Sequence, residues 1–447
     1  VADVLQARIP GVWVTKVSGA PGDHNQIRIR GINSLFGGVD PLYVIDGVPV
    51  PIVNLHTLGI SDLNIHDVKN ITVLKDASSN AIYGFQGGNG IIIIDTRRGG
   101  EEGISFSVTQ GMQESLMQYN LFNSAELINS LDSAAGKGIS SIRSYYPDYS
   151  DTLSSDDWQD HLFRRGWISE YQLSGSGSFR KTNYYLSGNY YHHNGVIQNT
   201  GYSKYSLSAS LGRNFFDRLS VEGVYKTSFQ QNRNNLDSYW GNHVILEGIN
   251  KSPSYNSTSY EYYVDTVPPG REYVRSYIDY PNLHTRENPD DLINLTHKNL
   301  NILIHNISAF ASLRILDNLI LNYSYAYSTR KHRYETKILS YQYSPVYNNY
   351  LKSREDYALA NNQVNMTYNL DLGKHSINMV ASTKFYRDMV EWNIDSLVLD
   401  FESHAKQENI FTRGNLAILG ESGKAIRHIN SLIGHVNYNY SEKYFVS

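Results

Sequence analysis

The chain of 447 residues carries 39 Lys+Arg against 43 Asp+Glu, a formal net charge of -4, with no cysteine and 36 tyrosines against 14 phenylalanines. The near-neutral balance argues against a nucleic-acid binder working through a basic field, and the missing cysteines exclude a disulfide scaffold, a thiolate metal site and a cysteine nucleophile. Charged residues make up 18%, below the roughly 25% of soluble domains, yet no run approaches the ~18 apolar residues of a membrane helix, so the one membrane option is a β-barrel.

Residues 1–99 have a mixed texture. Short β-type runs alternate with Gly/Pro turns: Val12 to Thr15, Ile27 to Arg30, Leu42 to Ile45, Ile71 to Leu74 and Ile91 to Asp95. Short helices are expected over 1–8 and 76–83. Lys/Arg and Asp/Glu balance at eight each, with no Glu. The region reads as a small α+β domain.

From about residue 103 the period becomes 2. Tyr171, Leu173, Gly175, Gly177 and Phe179 alternate with Gln172, Ser174, Ser176 and Ser178, and Tyr205, Leu207, Ala209 and Leu211 alternate with serines. Ten such segments are predicted, at about 103–111, 169–179, 182–192, 202–213, 218–230, 302–313, 318–328, 362–371, 375–386 and 430–440, with an eleventh starting at Tyr444. Their length suits the roughly 9–11 residues with which a tilted strand crosses a bilayer. Connections alternate between brief, as at Arg180-Lys181, and long: 112–168, 193–201, 231–301, 329–361 and 387–429. Short turns at one rim and long loops at the other are the pattern of an outer-membrane barrel. A soluble β-sandwich also alternates, but the polar Ser, Asn, Gln and Thr face would make a poor dry core.

Several stretches then resemble a known family. Leu5 to Val12, Gly19 to Gly22, Ile27 to Ile32 and Pro41-Leu-Tyr-Val-Ile-Asp-Gly-Val-Pro-Val50 look like the plug of a TonB-dependent outer-membrane transporter. Asp67 to Ser78, Ala81 to Gly84, Gly87-Gly-Asn-Gly90 and Ile91 to Gly99 resemble its SusC/RagA branch, as do Asp157 to Asp160, Tyr171 to Gly175, Lys181 to Ser187 and Gly434 to Tyr440. The resemblance implies an antiparallel transmembrane barrel of about 22 strands with an α+β plug in its lumen. The domains would be a plug over 1–99 and the first part of the barrel over 100–447. It also implies a multi-pass protein of the outer membrane of a Bacteroidota-like Gram-negative cell. Its expected function is import of a glycan fragment or oligopeptide, energised by the TonB–ExbB–ExbD complex and assisted by a SusD-like surface lipoprotein. Partners are then outer-membrane lipid and a small glycan or peptide, and no nucleic acid. The chain is expected to be roughly the N-terminal half of the mature protein, without its TonB box. Gln86 stands where many relatives carry Arg.

A rival class is a SusC-like barrel that serves as a structural or assembly subunit of a larger outer-membrane complex. A classical siderophore or vitamin receptor fits less well, given Leu74-Lys-Asp-Ala77 and the form of Pro41 to Val50.

Candidate site residues follow. Arg28 and Arg30, at i and i+2 of a strand, are expected on one face as plug-to-barrel contacts, with Glu222 as one possible kind of partner. Asn33, Phe36 and Asp40 lie in the plug loop 33–40, which the resemblance turns toward the extracellular cavity. Tyr239, Trp240 and Tyr347, among other loop aromatics such as Tyr350, could offer a stacking surface to substrate or to the lipoprotein. Tyr184, Tyr190, Tyr323 and Tyr327 suit an interfacial aromatic girdle. The turn Gly84 to Gly90 leads into a strand rather than a helix, so it reads as a tight turn and not a phosphate loop. His192 and His193 are strand neighbours on opposite faces, a poor metal pair. Asp156, Asp157 and Asp160 read as first-turn charges of a helix capped by Ser154 or Ser155. No nucleophile–base set follows from spacing, so the reading is not an enzyme, with no catalytic residue, metal or cofactor.

Overall fold

The fold is seen in a computed structural model. It describes residues 5–6, 9–16, 19–22, 25–31, 40–50, 63–75, 87–100, 102–116, 119–135, 157–233, 293, 296–338, 348–400, 415–441 and 444–446. The predicted helices over 1–8 and 76–83 fall almost wholly outside these residues.

Two small sheets make the N-terminal part. Strands β1 (Val12–Lys16) and β2 (Asn25–Ile29) pair antiparallel, with Val12 opposite Ile29. A second sheet has the order β4-β3-β6-β5, from β3 (Leu42–Ile45), β4 (Val48–Val50), β5 (Val68–Leu74) and β6 (Ile91–Thr96). β3 and β6 run parallel at its centre, Leu42 opposite Ile91. That explains their apolar runs, Leu42 to Ile45 and Ile91 to Ile94, since a central strand is covered on both faces. Leu5, Ile27, Ile29, Tyr43, Ile92 and Ile94 form one core, and Leu42, Val44 and Ile91 a second on the other face. Each such aliphatic side chain contributes roughly 1.5–3 kcal/mol by leaving water. β4 is an addition to the predicted runs; Pro49 at its centre suits an edge strand.

The rest is one antiparallel sheet of eleven strands in sequence order. They are β7 (Gly103–Gln113), β8 (Gly166–Phe179), β9 (Thr182–Asn194), β10 (Gly201–Phe215), β11 (Leu219–Arg233), β12 (Thr296–Leu316), β13 (Leu319–Ile338), β14 (Asn348–Leu372), β15 (His375–Asp400), β16 (Asn415–Tyr440) and β17 (Tyr444–Val446). β7 and β17 stand at its two edges. The turns at one rim are short, and Arg180-Lys181 and Phe216-Asp217 all have positive φ, the backbone a tight hairpin demands. Between β7 and β8 lie helix α1 (Ser124–Ala135) and the short helix α2 (Trp158–Leu162). Asp157 itself caps α2, its carboxylate accepting the Gln159 N–H at 2.9 Å, in place of the expected serines.

The sheet is apolar outward and polar inward, the reverse of a soluble sandwich. Leu173 is 55% exposed while Gln172 beside it is 3% exposed, and Leu207 is 44% exposed beside Ser208 at 4%. Water rejects the outward face and lipid accepts it. Tyr171, Tyr190, Tyr205 and Phe229 stack in a band across β8 to β11, with ring centres 6.2, 4.8 and 6.5 Å apart.

The five later strands differ from expectation. β12 to β16 run 20–26 residues, so much of the expected loops 329–361 and 387–429 is strand, as are residues 231–233 and 296–301 of the expected loop 231–301. The cause lies on the outward face. Beyond Tyr323 and Tyr327 it becomes ionic: Arg333 and Arg354 both pair with Asp356 at 2.7 and 2.6 Å, and Lys424 with Glu391 at 3.7 Å. Such a face belongs in water, above the lipid. Tyr350 is accordingly a strand residue, its hydroxyl donating to Glu335 at 3.0 Å.

Candidate functional site

The N-terminal sheets rest against the polar inner face of the barrel sheet, and that contact concentrates the buried charge. It begins with a turn. β3 and β4 are joined by Asp46-Gly47, with φ of 52° and 82°, the two-residue hairpin that favours Asp-Gly. The turn aims the Asp46 carboxylate at the wall, and only 5% of the residue is exposed.

Inside the plug, Asp46 accepts the Thr96 N–H at 2.9 Å and the Thr96 hydroxyl at 2.8 and 3.0 Å. Two cations close on the same carboxylate. Lys226, from the inner face of β11, donates to it and to Thr96 Oγ1 at 2.8 Å. Arg98, just past β6, lies 3.3 Å from Asp46 and bonds Glu222 of β11 at 2.8 Å. The Arg98 guanidinium also lies over the Phe310 ring, 4.6 Å from its centre. Burial pushes the Asp46 carboxyl up, but the charge and hydrogen bond of Lys226, with Arg98 and Thr96, hold it below the usual carboxylate range. Burial opposes the Arg98 charge, and Asp46 and Glu222 outweigh it, so its pKa is raised.

A second contact is a single 3-10 turn, Ile65–Asp67. The Asp67 carboxylate accepts the Tyr185 and Ser187 hydroxyls, both at 2.6 Å. Asn64, which caps the turn, donates to Gln172 at 2.8 Å, and His66 Nε2 lies 3.3 Å from Glu170. Lys204 of β10 donates to the Leu63 carbonyl at 3.0 Å. A third contact is steric. Gly99 has φ of 90°, and a Cβ there would collide with the Tyr184 carbonyl oxygen. Gly22, φ 76°, leaves the same kind of room for the Tyr202 ring.

The strand face expected to carry both Arg28 and Arg30 is cut short. β2 ends at Ile29, and Arg30 has a left-handed φ of 57°, so Arg28 and Arg30 do not share a strand face. Arg28 donates to Gln26 at 2.7 Å and Arg30 to the Lys75 carbonyl at 3.2 Å, both contacts inside the plug. Glu222 does face the lumen, and its partner is Arg98. Asp46 and Arg98 were missed as members of the contact. Lys226 had a signal: it follows Glu222 by four on one strand, hence on the same face.

Of the substrate candidates, Asp40 is described, its carbonyl accepting the Asn89 amide at 3.4 Å. Asn33, Phe36, Tyr239, Trp240 and Tyr347 lie outside the described residues. Gly90, φ 90°, turns the chain directly into β6, with Ile29 packed where a Cβ would stand. His192 and His193 bond different partners, Ser203 at 2.9 Å and Gln113 at 2.8 Å.

Known proteins share parts of this sequence and its fold. Residues 1–91 match the model of the TonB-dependent Receptor Plug Domain. The chain is 33% identical over 262 residues to TonB-dependent receptor P26 of Formosa agariphila, covering 57% of this chain and 26% of that protein. It is 32% identical over 227 residues to TonB-dependent receptor SusC of Bacteroides thetaiotaomicron, covering 48% of this chain and 21% of SusC. Its fold is similar to the RagAB peptide importer, with a TM-score of 0.79 at 19% identity over 98% of this chain and 51% of that one. The ferric citrate transporter FecA is similar at a TM-score of 0.56 and 11% identity, over 98% of this chain and 57% of FecA. The chain therefore spans about half the length of these solved transporters and aligns with a smaller share of the two receptors. The plug-domain match and these relatives support a SusC/RagA-type TonB-dependent receptor, to part of which this chain corresponds.

Proposed function

We propose that this chain is part of a TonB-dependent importer that carries a glycan fragment or oligopeptide across the outer membrane. Its partners are a SusD-like surface lipoprotein and the TonB–ExbB–ExbD complex. The plug covers residues 1–99, and the sheet from residue 100 onward is part of a barrel of about 22 strands, the size of known plugged transporters.

The observation that carries this reading is how the plug is held. Its wall contacts are ion pairs and hydrogen bonds around Asp46, Asp67 and Arg98. A polar contact of this kind can be exchanged for water when the plug is pulled, which a shared apolar core could not be without a large hydrophobic loss. The names of the relatives support the same reading: a SusC receptor and a peptide importer.

The test is uptake by cells carrying or lacking the full receptor, with and without a protonophore, using labelled oligosaccharide and oligopeptide pools. Uptake of one pool that needs both receptor and proton-motive force supports the proposal. Unchanged uptake, with loss of a co-purifying outer-membrane assembly, would favour the scaffold role.

A further inference from the structure

The inner wall is not saturated evenly. On β8 and β9, Gln172 bonds Asn64, and Tyr185 and Ser187 bond Asp67. On β10 and β11 the plug is joined at Lys204, Glu222 and Lys226, and between those points it leaves a space. A cavity separates its β3–β4 hairpin and the Asn64–Asp67 turn from a wall bearing Ser206, Ser208, Ser228, Asn306 and Ser328. The pairing register makes this wall continuous. Ser206 lies opposite Ser228, and Asn306 opposite Ser328, which donates to it at 2.6 Å.

Hydrogen-bonding groups along this wall are left unmade. The Ser206 hydroxyl, at the cavity, is buried without a partner. Toward the short-turn rim, at the two ends of a row whose middle residues Val224, Ser308 and Ala326 line the cavity, the Ser210 hydroxyl and both amide atoms of Asn361 are also buried and unpartnered. Ser210, Val224, Ser308, Ala326 and Asn361 form one cross-strand row there. An unmade buried group costs about 1–3 kcal/mol, and native interiors rarely leave several together without a reason. Lys226, which secures the hairpin tip through Asp46, stands in the middle of the same wall.

We infer that solute crosses along the β10–β14 wall, with the β3–β4 hairpin as the moving arm and the Asp46–Lys226 pair as its catch. The cavity is the space the path already has, and the buried Ser210 and Asn361 at the ends of its row are what the seated plug covers. The groups that wall can receive are neutral hydrogen-bonding ones, the hydroxyls of a saccharide or the amides of a peptide. The inference rests on the import reading and specifies where import runs.

Thiol labelling tests it in cells with the full receptor. This chain has no cysteine, so one introduced thiol is its sole target once any thiol outside it is replaced. Ser210→Cys probes the wall, and Ser187→Cys, an equally sealed serine on β9, is the comparator. A small hydrophilic thiol reagent is added outside, with transported solute, in energised and in protonophore-treated cells. We expect energisation to raise labelling at Ser210→Cys at least tenfold and at Ser187→Cys less than twofold. Excess neutral oligosaccharide or neutral oligopeptide should protect Ser210→Cys, and the one that protects names the source of the groups. Equal gains at both positions, as when the whole plug leaves, or gains at Ser187→Cys alone, would overturn the path while leaving import intact. Energy-independent uptake measured in parallel would overturn import itself. As a second arm, Ser210→Ala with Asn361→Leu should fold normally and slow uptake severalfold; unchanged uptake would also overturn the path.

Discussion

At the scale of single residues, one carboxylate joins the two bodies. Asp46 meets a cation of its own plug, Arg98, and a cation of the wall, Lys226. Truncating one partner of a buried pair strands the other, at about 3–5 kcal/mol. Lys226→Met should therefore loosen the seated plug and raise the influx of a large antibiotic that the intact receptor excludes. Acid should do so only late. The folded pKa of Asp46 is depressed, so its contribution is complete above the unfolded value of about 3.9 and disappears as the pH falls through the lower folded value. Protease nicking of the plug, followed against pH, should stay flat through mild acid and rise only below the usual carboxylate range, and Asp46→Asn should remove that step. Backbone geometry offers a separate check. Gly99→Ala meets both a left-handed φ and the Tyr184 carbonyl, whereas Gly11→Ala, φ 77°, meets nothing within 4 Å. Both should destabilise by about 1 kcal/mol from backbone strain, and Gly99→Ala by clearly more, measured as thermal melting of the purified receptor.

At the scale of elements, legibility followed the solvent on each face. β7 to β11 were readable to within about three residues, because lipid on one side and lumen on the other impose strict alternation. The extensions of β12 to β16 were not. Lys331, Arg333, Glu335 and Lys337 face outward between His332, Tyr334 and Thr336, so both faces are polar and no apolar signal of period 2 survives. The plug lock was hidden for another reason: positions 46, 98 and 226 are far apart, and each is an ordinary charge until the fold joins them. Arg28 and Arg30 drew attention as neighbours in sequence, and the strand ended between them. The same two-faced solvent gives a prediction. Leu173→Arg, on the lipid face, should cost roughly 2–4 kcal/mol near the midplane and lower the amount of folded receptor in the membrane. Lys331→Leu, higher on the outward face, should leave it nearly unchanged, as heat-modifiability on gels would report.

At the scale of the whole molecule, the plug and wall are unequal partners. The β8–β9 side of the wall meets the plug through Gln172, Tyr185 and Ser187, while the β10–β14 side joins it through Lys204, Glu222 and Lys226 and also holds a cavity and unmade groups. A remaining consequence concerns height. A 26-residue strand is on the order of 85 Å long, or about 60 Å along the axis of a barrel whose strands tilt by ~45°. The hydrocarbon layer takes up only about 30 Å of that. The rest continues as hydrogen-bonded sheet well past the lipid headgroups. A solute arriving from outside would thus meet the charged upper sheet, with Arg333, Asp356 and Lys424, before it reaches the level of the lipid.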